Sequence, residues 1–281
     1  MVQIVADTTS GLPTEVAKKY NIPVIPQVIN FGTDSYLEGI EMDNSAFMDR
    51  LRRTSELPKT AAPPPELFSR EFTRLVPKGE TILCIHPSSE VSGTIRSATV
   101  AAQDFPGADI RIIDTRTIGS PLATLVQLAA EWAADGLDGD TIEKRLHAMI
   151  PNSVIYFLVS TLEYLAKGGR IGGAAALLGS MLQIKPILIF ADGHVDQFEK
   201  ERTYRRALAR LKEIVFTQAP RNDNAYLSVM HAAVPDLAKE LANDICTEYK
   251  LSTIPILDVP PAIVTHGGPG ILAIAFFRSP K

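Results

Sequence analysis

The stretch Ser88-Ser89-Glu90-Val91-Ser92-Gly93-Thr94 carries the residue types best suited to seat an anion. Its hydroxyls donate O–H bonds. A loop that opens a helix adds unpaired backbone N–H groups and the positive end of a helix dipole. A phosphate or a carboxylate fits such a seat, and an N-cap with ordinary loop serines explains the same residues. A second stretch, Thr265-His266-Gly267-Gly268-Pro269-Gly270, reads as a loop between strands. Its glycines let a ligand or a second backbone approach His266, which would donate to an anion, more strongly when protonated. A structural histidine beside a tight connection is the other reading. In the third stretch, Gly168-Gly169-Arg170-Ile171-Gly172-Gly173, glycines flank one arginine in the manner of a phosphate cradle. The spacing matches neither the Walker nor the dinucleotide pattern, and a helix–helix turn with Arg170 in a salt bridge explains it equally. Asp7-Thr8-Thr9-Ser10-Gly11 follows a first apolar run, where open α/β sheets bind ligands, although Asp7 also serves as a turn former.

Familiar catalytic templates are missing. No Gly-x-Ser-x-Gly elbow occurs, and the histidines at 86, 147, 194, 231 and 266 show no metal-ligand spacing. A Ser–His–acid set stays open, because such triads are spatial rather than sequential. The 281 residues carry net charge −4, which argues against a nucleic-acid binder. Cys84 and Cys246 are too few for a disulfide scaffold or a cysteine metal site, and a reducing, cytoplasmic setting is expected. No secretory signal is read in the first residues. The longest uncharged stretch, Val259 to Phe277, is broken by proline and glycine, so no spanning helix is expected. The basic run Lys200, Arg202, Arg205, Arg206, Arg210 and Lys212 reads as a solvated helix face or as a docking surface for an acidic partner.

The elements that must position these residues follow from periodicity. Val2 to Ala6, Ile22 to Asn30, Ile82 to Ile85 and Ala108 to Ile113 read as strands. Thr14–Tyr20, Ser45–Arg53, Glu66–Val76, the Ala-rich segment after Thr94, Ile118–Asp135 and Asp140–Ile150 read as helices, with Thr14 a candidate cap. The proline-rich 57–65 stretch breaks regular structure, as a linker or a stiff binding loop. Strands alternating with helices predict an α/β domain with a parallel sheet. Beyond Pro151 the pattern changes. Strands at 155–160, 185–190, 195–198, 226–230, 254–259 and 271–277 mix with helices at 161–165, 174–182, 203–216 and 235–249, and Asp192-Gly193 marks a hairpin turn. This half is expected to be a second, α+β domain.

Taken in order, Asp-Thr-Thr-Ser-Gly-Leu-Pro at 7–13, Lys-Thr-Ala-Ala-Pro-Pro-Pro at 59–65 and Ser-Ser-Glu-Val-Ser-Gly-Thr at 88–94 resemble the DegV family of fatty-acid-binding proteins. Leu-Glu-Tyr-Leu-Ala-Lys-Gly-Gly-Arg-Ile at 162–171, Ile-Lys-Pro-Ile-Leu at 184–188 and the Thr265–Gly270 stretch continue the likeness over essentially the whole chain. The resemblance implies two domains, residues 1–58 with 79–152 and residues 59–78 with 153–281, and a long-chain fatty acid buried between them and within the second. It implies that Thr60 and Ser92 donate hydroxyls to the carboxylate, aided by the Gly93 N–H, with His266 and Arg170 completing the network. It further implies no cofactor and no catalysis by this chain. Its role would be to present the acyl carboxylate to a separate ATP-dependent kinase, docked near Arg202, Arg205 and Arg206, for acyl phosphate formation feeding phospholipid metabolism. Transient contact with a membrane surface fits that role. The usual Thr-Ser-Gln-Pro-Ser-Pro loop is altered here, with Ala61, Ala62 and Pro64 in place of polar residues. An enzyme acting on a phosphate or carboxylate in the same cleft is the alternative function.

Overall fold

The computed structural model describes residues 2–180 and 184–279, with only the backbone at 180. The first strand, β1 (Gln3–Asp7), is buried along nearly its whole length and runs into a 3₁₀ turn at Thr8–Ser10, where the Asp7 side chain accepts from the Thr9 N–H. Helix α1 (Thr14–Lys19) then starts at Thr14 with Pro13 in the cap position, so Thr14 is its first residue and not its cap. Prolines 23 and 26 interrupt the run expected as one strand at 22–30, leaving β2 (Val24–Ile25) and β3 (Val28–Phe31) in different sheets. The short hairpin partner β4 (Asp34–Leu37) follows, then α2 (Asn44–Arg53), capped by the Asp43 carboxylate.

The proline-rich stretch is not structureless. It begins with β5 (Lys59–Ala61), which pairs with β3 so that Thr60 faces Ile29, and Pro65 then opens α3 (Pro65–Leu75). Strand β6 (Ile82–His86) is buried at every position, as expected of a parallel strand covered on both faces. After it come α4 (Thr94–Ala102), β7 (Ile110–Asp114), α5 (Gly119–Ala134) and α6 (Gly139–Met149). Strands β2-β1-β6-β7 form a four-stranded, wholly parallel sheet.

The second half supplies β8 (Ser153–Leu158), α7 (Glu163–Lys167), β9 (Lys185–Ala191), β10 (His194–Glu201), α8 (Tyr204–Gln218), β11 (Ser228–His231), α9 (Pro235–Tyr249), β12 (Ile256–Asp258), α10 (Pro261–Gly267) and β13 (Leu272–Phe277). The six-stranded sheet runs β10-β9-β8-β13-β11-β12, antiparallel except for β11 with β12. Tyr156, Ile274 and Phe276 on one face pack against α8 and α9 through Leu211, Ile214, Leu241 and Ile245. Residues 172–180 coil as 3₁₀ where a small-residue helix over 174–182 was expected, and the end of that span lies outside the described residues.

Two segments cross over. The sequence reading assigns α3 to the second unit, yet Phe68, Phe72 and Leu75 pack with Val5, Ile82, Cys84 and Ala98 of the first sheet. The three-stranded sheet β4-β3-β5 and α2 instead share a core with the six-stranded sheet, through Ile29, Phe31, Phe47 and Leu51 against Ile155, Phe157 and Phe190. Helix α5 touches β1 and β6 of one sheet and β8 and β13 of the other, which explains why so many of its residues are buried.

Candidate functional site

Of the hydroxyls between 88 and 94, two serve the fold. Ser88 donates to the Gly193 carbonyl at 2.7 Å, and Ser89 meets the Asp114 carboxylate. Ser92 and Thr94 stand apart from these ties, with their oxygens 2.8 Å from each other. Helix α4 begins at Thr94 with Gly93 in the cap position and no side chain capping it, so its first N–H groups keep the character of an anion seat.

Thr60 reaches the same place from β5, and its Oγ1 lies 2.7 Å from His266 Nε2. His266 lies on the last turn of α10, not in an open loop as expected, and Gly267 and Gly268 end that helix. Its Nδ1 is buried with no hydrogen-bond partner among the described residues. Burial, helped by the Arg170 charge, pushes the imidazole down to about 4, so at neutral pH the ring is neutral. The neutral ring still has one N–H to donate, but the stronger, protonated form weighed from sequence is not the one present at neutral pH.

Arg170 makes no salt bridge among the described residues. Its guanidinium donates to the Gly168 carbonyl at 2.7 Å and to the Val91 carbonyl at 3.1 Å, tying α7's exit to the Ser92 loop. The glycines around it permit close packing. A Cβ at Gly168 would sit 2.3 Å from His266 Nδ1, and one at Gly172 would sit 2.0 Å from the Val195 carbonyl oxygen. No phosphate cradle is needed to explain them.

Thr60, Ser92, Gly93, Arg170 and His266 all line one cavity of about 1000 Å³, counting the open space at its mouth. The five residues named for the carboxylate therefore border a common space. Ala62, one of the departures from the family loop, also lines it, where a longer polar residue is expected. Besides Thr9 and Gln27 the remaining wall is mostly apolar, with Ile155, Phe157, Phe190, Val195, Ile271 and Ala273 from the six-stranded sheet and its edges. A cavity with its polar groups clustered beside an extended apolar wall suits a ligand with an anionic head and a greasy body.

Asp7 does not line the cavity. Its Oδ1 accepts from the Thr9 N–H, the Thr9 hydroxyl and the Gln27 amide, and Oδ2 lies 2.8 Å from His86 Nδ1. Sequence reading missed Gln27 and Glu38. Gln27 is buried and lines the cavity, and the signal was an amide in the middle of the apolar run at 22–30. Glu38, also buried, accepts from the Ala262 N–H at 2.9 Å and from the Thr8 hydroxyl, and burial pushes its carboxyl up to about 7. Nothing in the spacing of Glu38 distinguished it from a surface glutamate.

Arg202, Arg205 and Arg206 lie elsewhere, exposed at the start of α8, and enter no ion pair among the described residues. Arg210 and Lys212 are held by Glu199 and Asp244. Among the described residues no helix is long and apolar enough to cross a membrane, and no cluster of His, Cys, Asp and Glu could hold a metal ion.

The family profile described as "Uncharacterised protein, DegV family" matches residues 1–279. The chain belongs to the DegV family. A DegV domain-containing protein from Halalkalibacterium halodurans is 34% identical over 277 residues, covering 98% of each chain. Among solved structures, a DegV family protein from Thermus thermophilus described for its fatty acid binding aligns with TM-score 0.90 at 25% identity, covering 99% of each chain. DegV from Bacillus subtilis, described as a fatty acid binding protein, aligns with TM-score 0.88 at 29% identity, again over 99% of each chain. The mixed α/β architecture of the chain is thus that of the DegV structures.

Proposed function

We propose that this chain binds a long-chain fatty acid, with the acyl tail along the apolar wall and the carboxylate against Thr60, Ser92, the Gly93 N–H, Arg170 and His266. The observation that carries this reading is the joining of an apolar wall and a cluster of hydroxyl, amide and guanidinium donors in a single cavity. Each CH₂ removed from water contributes about 0.8 kcal/mol, so a long tail supplies most of the affinity. The donors set polarity and position, because an unpaired buried carboxylate would be strongly disfavoured. The fatty acid binding described for the relatives from Thermus thermophilus and Bacillus subtilis supports the same ligand class.

The chain is then a binding subunit that works without a cofactor of its own. It presents the carboxylate to a separate ATP-dependent kinase that makes the acyl phosphate. The exposed arginines at 202, 205 and 206 offer the kinase a docking face. Arg205 and Arg206 stand in the first turn of α8, the end of the helix where positive charge is least favourable. Native mass spectrometry of protein purified from cells tests the first step. A bound mass matching a long-chain fatty acid is expected, and a ligand-free protein with turnover of its own would overturn the reading.

A further inference from the structure

Resting on the fatty-acid reading, we infer that Gln27 and Thr94 form a hydrogen-bond relay that fixes Ser92 as a donor, so that the head of the site favours a carboxylate over headgroups that carry a donor of their own. The chain of contacts starts at Asp7. Its Oδ1 accepts from the main-chain N–H of Thr9 at 3.0 Å, a group that can only donate. The part of the Gln27 side chain facing that oxygen, at 3.1 Å, is therefore the amide NH₂, and the same nitrogen lies 2.8 Å from Thr94 Oγ1. Both amide hydrogens are thereby committed, one to Asp7 and one to Thr94.

Thr94 is fully buried, and its hydroxyl has one hydrogen to give. Having accepted from Gln27, it is left with Ser92 Oγ at 2.8 Å as the partner for that hydrogen. The alternative direction would leave a buried O–H unpaired, which folded proteins avoid. Ser92 Oγ also receives the Thr94 N–H at 3.3 Å. With both lone pairs occupied, Ser92 keeps only its own hydrogen, and Ser92 lines the cavity. A carboxylate oxygen takes that hydrogen in a charge-assisted bond. An amide or alcohol oxygen takes it more weakly, and its own N–H or O–H finds no free lone pair on Ser92.

Gln27 and Thr94 are thus positioning residues that act on the ligand through Ser92. The readout is a ratio of affinities among chain-matched ligands: palmitate, palmitamide and hexadecanol. Gln27→Leu and Thr94→Val are each expected to lower the palmitate preference over the two neutral ligands by about tenfold, with hexadecanol affinity little changed. Thr94→Ser, which restores a hydroxyl, is expected to restore the ratio. Equal losses for all three ligands, or an unchanged ratio in both variants, would overturn the relay while leaving lipid binding intact. If the wild-type chain bound none of the three, the fatty-acid reading would fall and the relay with it. Thermal melts of each variant distinguish a misfolded protein, and Gln27→Leu carries the test if Thr94→Val fails to fold.

Discussion

The imidazole of His266 is neutral at physiological pH because burial and Arg170 both disfavour its charge. It positions Thr60 rather than pairing with an anion as a cation. His266→Ala and Ser92→Ala are each expected to weaken fatty-acid retention by about tenfold without unfolding the chain, checked by lipid occupancy in native mass spectra alongside circular dichroism. Glu38 makes a second prediction. In the folded chain its carboxyl holds a proton up to about pH 7, against an ordinary value of 4.5. Between those values the folded state binds the extra proton, so this group's stabilisation is lost as pH rises through the window. Glu38→Gln keeps the shape and removes the titration, and it is expected to gain on wild type by up to about 3 kcal/mol between pH 4.5 and 8. Denaturant unfolding at each pH measures it. His266 works in the opposite sense, its contribution growing as pH rises from about 4 to its ordinary 6.5, so between 6.5 and about 7 it no longer offsets the Glu38 slope.

Elements fail where two backbones are forced together. Gly172 has φ +51, and a Cβ there would strike the Val195 carbonyl, a main-chain atom that cannot swing aside. Gly172→Ala is expected to destabilise by at least ~2 kcal/mol and to shift the 172–180 segment off the β10 edge, visible as faster amide exchange at Val195. At this scale the sequence was readable in parts. Apolar runs at 82–85 and 271–277 announced strands that the structure places at 82–86 and 272–277, and Asp192-Gly193 announced the hairpin turn. The short pieces were hidden. Lys59–Ala61 has two exposed residues of three and no periodicity of its own, and it is a strand only because β3 is there to pair with it. The helix holding His266 was obscured by the glycines and proline that follow it, which describe its end rather than its body. The hydroxyls at 88–94 and the glycines around Arg170 and His266 stood out as residue types able to seat an anion, whereas Thr60 was reached only through the family resemblance. Gln27 and Glu38 were not legible, since their burial arises from packing between segments far apart in the chain.

At the scale of the whole molecule, the cavity exists because two sheets with separate cores are held face to face by α5 and by crossed-over segments. The arginines proposed as a kinase-docking face do not line it, so the two proposed roles are expected to separate. Arg202→Glu combined with Arg205→Glu should abolish acyl phosphate formation with the partner kinase and ATP while the lipid stays bound. Loss of lipid in that variant would mark these arginines as structural. Stability should not suffer, because an acidic residue in the first turn of α8 is favoured by about 0.3–1 kcal/mol.

The contact between the Asp192–Gly193 turn and the first sheet's loops has a consequence for how the chain tolerates change. Ser88 and Arg116 supply the hydrogens, and both acceptors are carbonyl oxygens of the main chain. Whatever side chain stands at 192, the carbonyl remains, subject only to its left-handed φ of 51°. Position 193 is barred to any side chain, since a Cβ would lie 2.7 Å from both Ser88 Oγ and Arg116 Cζ. A saturation scan of this clasp would therefore come out lopsided: permissive to asparagine or glycine at 192, closed at 193, and sensitive at 88 and 116, where the whole grip resides.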